Sequence, residues 1–188
     1  MIASAALQGA AHPDPEAVDV ADEHLPFEEV YRRHADAVYR FCLSQLGNRA
    51  AAEDVAADSF SSAFAAYDRV RPDQAGLRPW LFRIARNASI DHGRRHRRAG
   101  FTLLRLSRAP APPPDVESLA GLRAELRDVL SAMAGLGRRD RTLVGLRIAG
   151  GLSYGEIAEA MGMNEGAART ATHRALERVR TWVEGKNT

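Results

Sequence analysis

Only one cysteine, Cys42, stands among the 188 residues. That excludes an internal disulfide and any cysteine-rich metal knuckle. Its neighbours Val38, Phe41 and Leu46 are apolar, so the thiol is expected inside a core, where free cysteine commonly sits. Long hydrophobic runs are missing too: nothing approaches the ~20 apolar residues that a membrane span needs. Residues 1–26 lack the basic start and apolar centre of a signal peptide, so the chain reads as cytoplasmic, without membrane insertion. Lysine is nearly absent, and all basic residues but Lys186 are arginine. Residues 1–30 contain no lysine or arginine but seven acids: Asp14, Glu16, Asp19, Asp22, Glu23, Glu28 and Glu29. That leaves 17 acids against 26 bases over residues 31–188, a balance of +9 hidden beneath a net charge of +2. A body charged this way suits a polyanionic partner.

Strand-like alternation and internal repeats are also lacking. What is there is helical spacing, and the expected fold is all-α: two small helical domains joined by a flexible Pro-rich linker. Residues 1–24, Ala-rich, acidic and broken by Pro13 and Pro15, read as a disordered tail. The first domain is expected over 25–98. Phe27, Val30, Tyr31, His34, Val38 and Phe41 define its first helix, which Gly47 and Asn48 end. A second helix is expected over about 50–67, with Val55, Ala56, Phe60, Ala63, Phe64 and Tyr67 turned inward. Pro72 and Gly76 mark residues 68–77 as a loop. Pro79 then opens a third helix, with Trp80, Leu81, Ile84, Ala88 and Ile90 on one face. The linker is expected over 99–117, where the run Ala109–Ser118 (APAPPPDVES) cannot form a helix interior. The second domain follows over 118–185. It begins with Leu119, Leu122, Leu126, Val129, Leu130 and Met133, continues through a helix over 138–149, and breaks at Gly150 and Gly151.

The stretch from Gly151 to Arg180 carries the most specific local pattern. Ser153 and Glu156 have capping-box spacing. Tyr154, Ile157, Ala158 and Met161 form the inner face of a short helix. Gly162 suits a left-handed turn and Asn164 can cap the next helix. There Ala168, Ala171, Ala175, Val179 and Trp182 follow a stripe, and the opposite face offers Glu165, Arg169, Thr170, Thr172, His173, Arg174 and Arg178. A helix-turn-helix presented this way fits a DNA major groove, although short helix, glycine turn and long helix also occur in bundles that bind no DNA.

A second basic surface closes the third helix. Residues 77–98, LRPWLFRIARNASIDHGRRHRR, run from apolar positions into Arg94, Arg95, Arg97 and Arg98. Arg83, Arg86 and Asn87 lie away from Trp80 and Ile84. These cations can neutralise phosphates; they also complement the dipole at a helix C-terminus.

Three stretches resemble the extracytoplasmic-function (group IV) sigma factors of the sigma-70 family: AEDVAADSF at 52–60, LRPWLFRIARNASIDHGRR at 77–95 and GLSYGEIAEAMG at 151–162. The resemblance runs from about Phe27 to Val183. It implies a sigma-2-like domain that binds core RNA polymerase and melts the −10 element, and a sigma-4-like domain that reads the −35 element and docks on the polymerase flap. It makes Asp54 and Asp58 the polymerase contacts. It assigns Tyr67, Arg83, Arg86, Asn87, Arg94 and Arg95 to the −10 DNA, and Arg169, Thr170, Thr172, His173, Arg174 and Arg178 to the −35 DNA. Trp80 is either a wedge in the duplex or a core residue, and its apolar spacing favours the core. An anti-sigma protein is a further candidate partner, and the acidic tail an internal brake. The sequence departs from the family at Ala57-Asp58-Ser59, where Gln-Glu-Thr is usual, and at Ala167, Ala168 and Ala171 on the recognition helix.

Two other readings compete: a helix-turn-helix regulator that works without polymerase, and a sigma-mimicking adaptor that binds an anti-sigma protein and no DNA. The first leaves the sigma-2-like half unexplained; the second leaves the basic run at 94–98 without a use. An enzyme is not expected, because no nucleophile motif and no glycine-rich phosphate loop is present. No cofactor and no metal is expected either. His92 and His96 have helical metal spacing, but the arginines between them repel a cation.

Overall fold

Pro26, with its fixed φ of −55°, precedes α1 (Phe27–Leu46), and Gly47 ends it in the left-handed conformation at φ 64°. Asn48 Oδ1 accepts from Ala51 N at 2.8 Å and opens α2 (Arg49–Val70). Asp73 Oδ1 accepts from Gly76 N at 2.7 Å at the start of α3 (Gln74–Leu104). Then come α4 (Ala124–Gly135), α5 (Arg138–Val144), a π-helical segment (Gly145–Ala149), α6 (Tyr154–Met161) and α7 (Glu165–Lys186). The structure is a computed structural model that describes residues 25–104 and 124–186. The tail at 1–24, linker residues 105–117, and Leu119 and Leu122 lie outside the described residues. Every regular element among the described residues is helical.

Four expectations need correction. The loop over 68–77 is only residues 71–73, because Asp73 caps α3 well before Pro79, which sits inside the helix. Phe64 does not face inward: it is 67% exposed, and its ring meets the edge of Phe27 with centroids 5.2 Å apart. The buried face of α3 is Leu77, Trp80, Leu81, Phe82, Ala85 and Ser89, whereas Ile84, Ala88 and Ile90 are half-buried. Finally, α3 does not stop near 98 but continues to Leu104.

The first three helices pack mutually, and Val38, Phe41, Cys42, Val55, Ala63, Leu81 and Phe82 lie between them. Cys42 is buried as expected. Burial pushes its thiol up to about 12, and Ser89 Oγ lies 3.9 Å from its sulfur. The second unit does not hang apart from the first. Leu143, Leu146, Leu152, Ile157, Ala158 and Ala168 belong to the same continuous core. Each large apolar side chain buried there stabilises the fold by ~1.5–3 kcal/mol relative to exposure. A smaller cluster of Met133, Val144 and Ala175 lies between α4, α5 and α7.

Two glycines permit this closeness. A Cβ on Gly145 would come 2.5 Å from Gln45 Nε2 and 2.6 Å from Ser44 Oγ at the end of α1. A Cβ on Gly150 would come 2.7 Å from Phe82 Cε1. The helical stretch expected over 138–149 is present, and it widens to π geometry from Gly145, where it meets α1.

Polar groups line the same seam. Gln45 Nε2 donates to Arg141 O at 3.2 Å, and Thr142 Oγ1 donates to Gln45 Oε1 at 3.2 Å. Arg141 spends its donors on carbonyls: Met133 O at 2.8 Å, Ala134 O at 2.7 Å, Leu136 O at 3.0 Å and Gln45 O at 3.3 Å. It thereby supplies donors to carbonyls at the C-terminal end of α4, where the helix itself runs out of N–H partners, and ties that end to α1. Arg141→Met should cost about 2 kcal/mol in urea unfolding, because several carbonyls lose a charged donor together. Arg141→Lys should recover less than half of that, since an ammonium lacks the planar fork.

His34 on α1 lies by the seam, and burial with the Arg78 and Arg33 charges lowers its pKa, against a weaker opposing pull from Glu156. The folded chain therefore disfavours the imidazolium, and the unfolded chain binds the proton first. The His34 contribution to stability should be complete above the usual histidine value and be lost as pH falls below it. His34→Gln should flatten that part of the stability–pH profile in denaturant titrations.

Candidate nucleic-acid interface

The helix-turn-helix forms from local capping. Ser153 Oγ accepts from Glu156 N at 3.2 Å, and Glu156 Oε2 accepts from Ser153 N at 2.7 Å. Gly162 turns the chain at φ 65°, ψ 45°, and Asn164 Oδ1 accepts from Ala167 N at 2.7 Å. Ala168 and Ala175 are fully buried beneath α7, so their small side chains let α7 lie close on α5 and α6.

On the outer face of α7, Arg169, Thr170, His173 and Arg174 are exposed, as expected for groups offered to a ligand. Arg169 is held in place. Its Nη2 donates to Glu165 Oε1 at 2.9 Å, and its guanidinium lies 5.2 Å from the centre of the Tyr154 ring. Arg147 stacks on the same ring at 4.9 Å. Tyr154, read in the sequence only as an inward residue of α6, therefore carries two cations; that role depends on a contact between elements that spacing alone does not reveal. Arg178 is exposed but paired with Asp140 of α5, which ties the far half of α7 to its own domain.

Thr172 is a correction. It was placed on the outer face, yet it is fully buried. The reason is helical geometry: residue 172 is four after Ala168 and three before Ala175, at the centre of the buried stripe. Its hydroxyl has no hydrogen-bond partner among the described residues.

On α3, Arg83, Asn87, Arg94 and Arg95 are exposed, and Arg94 Nη1 donates to Asp91 Oδ1 at 3.3 Å. Arg86 is half-buried; its Nη1 donates to Asn87 Oδ1 at 3.3 Å, while its Nε is buried without a partner among the described residues. Tyr67 departs from its expected place at the DNA surface. It is buried, and its hydroxyl donates to Leu25 O at 2.8 Å. Trp80 is buried too, with its ring 6.1 Å from that of Tyr67, so its core role holds and it is not poised as a wedge. Asp54 and Asp58 lie exposed one turn apart on α2. An apolar groove lined by Met133, Val144, Ile148, Leu176 and Val179 opens on the second unit. Its rim residue Ile148 is 66% exposed, and the sequence reading had not singled it out. No described helix is long and apolar enough to cross a membrane.

The described residues thus form two helical units, one with a capped helix-turn-helix and one with a long arginine-bearing helix. Residues 30–99 match the family described as Sigma-70 region 2, and residues 126–179 match Sigma-70, region 4. The chain is 34% identical to the RNA polymerase sigma factor CarQ of Myxococcus xanthus, over 82% of this chain and 87% of that protein. It is 31% identical to the ECF RNA polymerase sigma factor SigE of Mycolicibacterium smegmatis, over 84% of this chain. There it spans only 61% of the relative's length. Its fold matches that of the sigma factor RpoE in the co-crystal structure with the anti-sigma factor NepR from Bartonella quintana. The TM-score is 0.65 at 23% identity, covering 84% of this chain and 96% of that one. The chain belongs to the extracytoplasmic-function branch of the sigma-70 family.

Thr172→Val removes an unpartnered buried hydroxyl at nearly constant shape. It should raise stability by about 1 kcal/mol and leave DNA affinity unchanged. Arg174→Ala should weaken affinity with little effect on stability. Thermal unfolding and DNA titration on both variants provide the check.

Proposed function

We propose that the chain is an RNA polymerase sigma factor that directs core polymerase to specific promoters and catalyses nothing itself, acting in the cytoplasm. The observation that carries this reading is the pairing, in one chain, of a region 2 match bearing exposed arginines on α3 with a region 4 match bearing a capped helix-turn-helix. Residues 25–98 form the domain that binds polymerase and the −10 element, and residues 118–185 the domain that binds the −35 element.

Asp54 and Asp58 face the polymerase. Arg83, Arg86, Asn87, Arg94 and Arg95 face the −10 DNA, where cations follow the backbone and polar groups hold splayed bases. Tyr67 supports that surface from beneath by packing on Trp80. Arg169, Thr170, His173 and Arg174 enter the −35 major groove. Arg178 braces the recognition helix through Asp140. The apolar groove beside Ile148 takes the polymerase flap. An anti-sigma protein remains a candidate partner. The solved relative is itself a complex with one.

Run-off transcription with purified core polymerase on a promoter library tests the reading. Transcripts sharing one −35/−10 pair, present only when the protein is added, are expected. Asp54→Ala with Asp58→Ala should lower polymerase affinity by tenfold or more. Arg94→Ala and Arg95→Ala should each reduce the salt slope of promoter binding by roughly one. Stable DNA binding without polymerase binding or transcripts would favour a polymerase-independent regulator. Binding to neither would favour the adaptor.

A further inference from the structure

Where the second unit meets α3, polar groups find partners: Arg78 Nη1 donates to Glu156 Oε1 at 3.0 Å, and its Nη2 donates to Gly150 O at 3.0 Å and Gly151 O at 3.1 Å. On α1 and α2, by contrast, aromatic surface is left uncovered. Phe27 and Tyr31 stand one turn apart on α1, and Phe60 and Phe64 one turn apart on α2. The four rings form one edge-to-face cluster. The Phe27 centroid lies 5.2 Å from that of Phe64 and 6.4 Å from that of Phe60, and the Tyr31 centroid lies 4.8 Å from that of Phe60. Phe60 is buried, but Phe64 is 67% and Tyr31 52% exposed. Single exposed rings are ordinary on a protein surface. Two of them on neighbouring helices, joined through shared rings, make an apolar ledge.

The chain enters α1 at this ledge. Tyr67, three residues after Phe64 on α2, donates through its hydroxyl to Leu25 O at 2.8 Å, and its ring centroid lies 5.2 Å from that of Phe27. Leu25 is thereby held on the α2 side. Because Leu25 precedes Pro26, helical geometry is disfavoured there, and Pro26 itself has ψ 137°. Helix α1 therefore does not run back through Leu25, which stands beside Phe27 at the point from which the preceding residues depart.

Those residues, Ala17 to His24, read AVDVADEH. In an extended chain Val18 and Val20 share one side, with Asp19 and Glu23 on the other, and β-branched residues favour that form. The seven residues from Leu25 back to Val18 reach ~23 Å at ~3.3 Å each. That exceeds the ~8–10 Å between packed helix axes together with the ~6 Å between rings one turn apart. The length of chain suits the ledge, and its alternation supplies one apolar side.

We propose that the Tyr31–Phe64 ledge is the seat of the chain's own residues Ala17–His24, with Val18 and Val20 laid on the rings and Asp19 and Glu23 turned to solvent. The proposal does not rest on the sigma reading. It also differs in kind from a brake in which the tail's acids lie on the arginines of α3. Salt screens contacts between exposed charges and leaves an apolar seat in place. With the tail seated on α1 and α2, the arginines of α3 stay free for a ligand.

The test reads solvent contact at position 64 in the full chain, with 4-fluorophenylalanine in place of Phe64. The change in its fluorine resonance between light and heavy water reports how much of the ring meets solvent. Three chains are compared: the full chain, the chain lacking residues 1–24, and the full chain with Val18→Ser and Val20→Ser. Circular dichroism and cooperative unfolding confirm that each is folded. A nitroxide on Asp19→Cys gives a second readout, since Cys42 is buried and takes no label.

The solvent effect in the full chain should be about half that in the other two. It should be unchanged by high salt and by dilution, and the nitroxide should broaden the fluorine line in the full chain but not once the valines are serines. Equal solvent effects in all three chains would overturn the proposal, as would protection that survives the serine substitutions. Protection lost at high salt would replace the valines with the acids as the contact. Protection lost on dilution would replace the tail with a second copy of the chain.

Discussion

At the end of α1, the backbone of the π-helical segment comes so near that a single added carbon on residue 145 would sit 2.5 Å from Gln45 Nε2. That closeness of approach governs much else. With the backbone so near α1, Leu143 and Leu146 reach the core of the first unit and the two units share one interior. Because they share it, the polar groups carried along must find partners across the seam, as Gln45, Thr142 and Arg141 do. A larger residue at 145 would therefore disturb packing and hydrogen bonding at once, although glycine is a poor helix former on propensity alone.

Helix α3 connects this interior to the DNA-facing chemistry. Its inner face places Leu81, Phe82 and Ala85 in the core; its side places Arg78 on the second unit; its outer face presents Arg83, Asn87, Arg94 and Arg95. The second unit has a comparable economy in Tyr154, whose ring supports Arg147 from the π segment and Arg169 from the recognition helix. Position in these helices, more than residue type, decides which arginines face a ligand and which brace the fold: Arg141 and Arg178 brace it, whereas Arg83 and Arg174 face outward.

The elements and the family were legible because both depend on short-range pattern. The Ser153–Glu156 capping box, Gly162 and Asn164 each appear where their local chemistry required. Asp73 was missed as a helix cap because the proline six residues later is a louder signal, yet Pro79 sits inside a helix already begun at Gln74. Thr172 was misplaced because a polar side chain was taken as an outward one, although its spacing from Ala168 and Ala175 pointed inward. Tyr67 was read for its chemistry, and its hydroxyl is turned to Leu25 O. The seam could not be read at all. Gly145, Gly150, Arg78 and Glu156 acquire meaning only from partners 70 or more residues away, or from a neighbouring helix, and no local periodicity encodes those pairings.

The single thiol has a consequence for what the chain can sense. Burial pushes the Cys42 thiol up to about 12, so it is held as the thiol at neutral pH, and it is closed off from solvent. Peroxide and disulfide reagents attack thiolates, so this sulfur is chemically silent toward both. The chain has no second sulfhydryl to pair with it. Oxidative stress cannot be written directly into this molecule through cysteine; any such message has to reach it through the chemistry of something it touches.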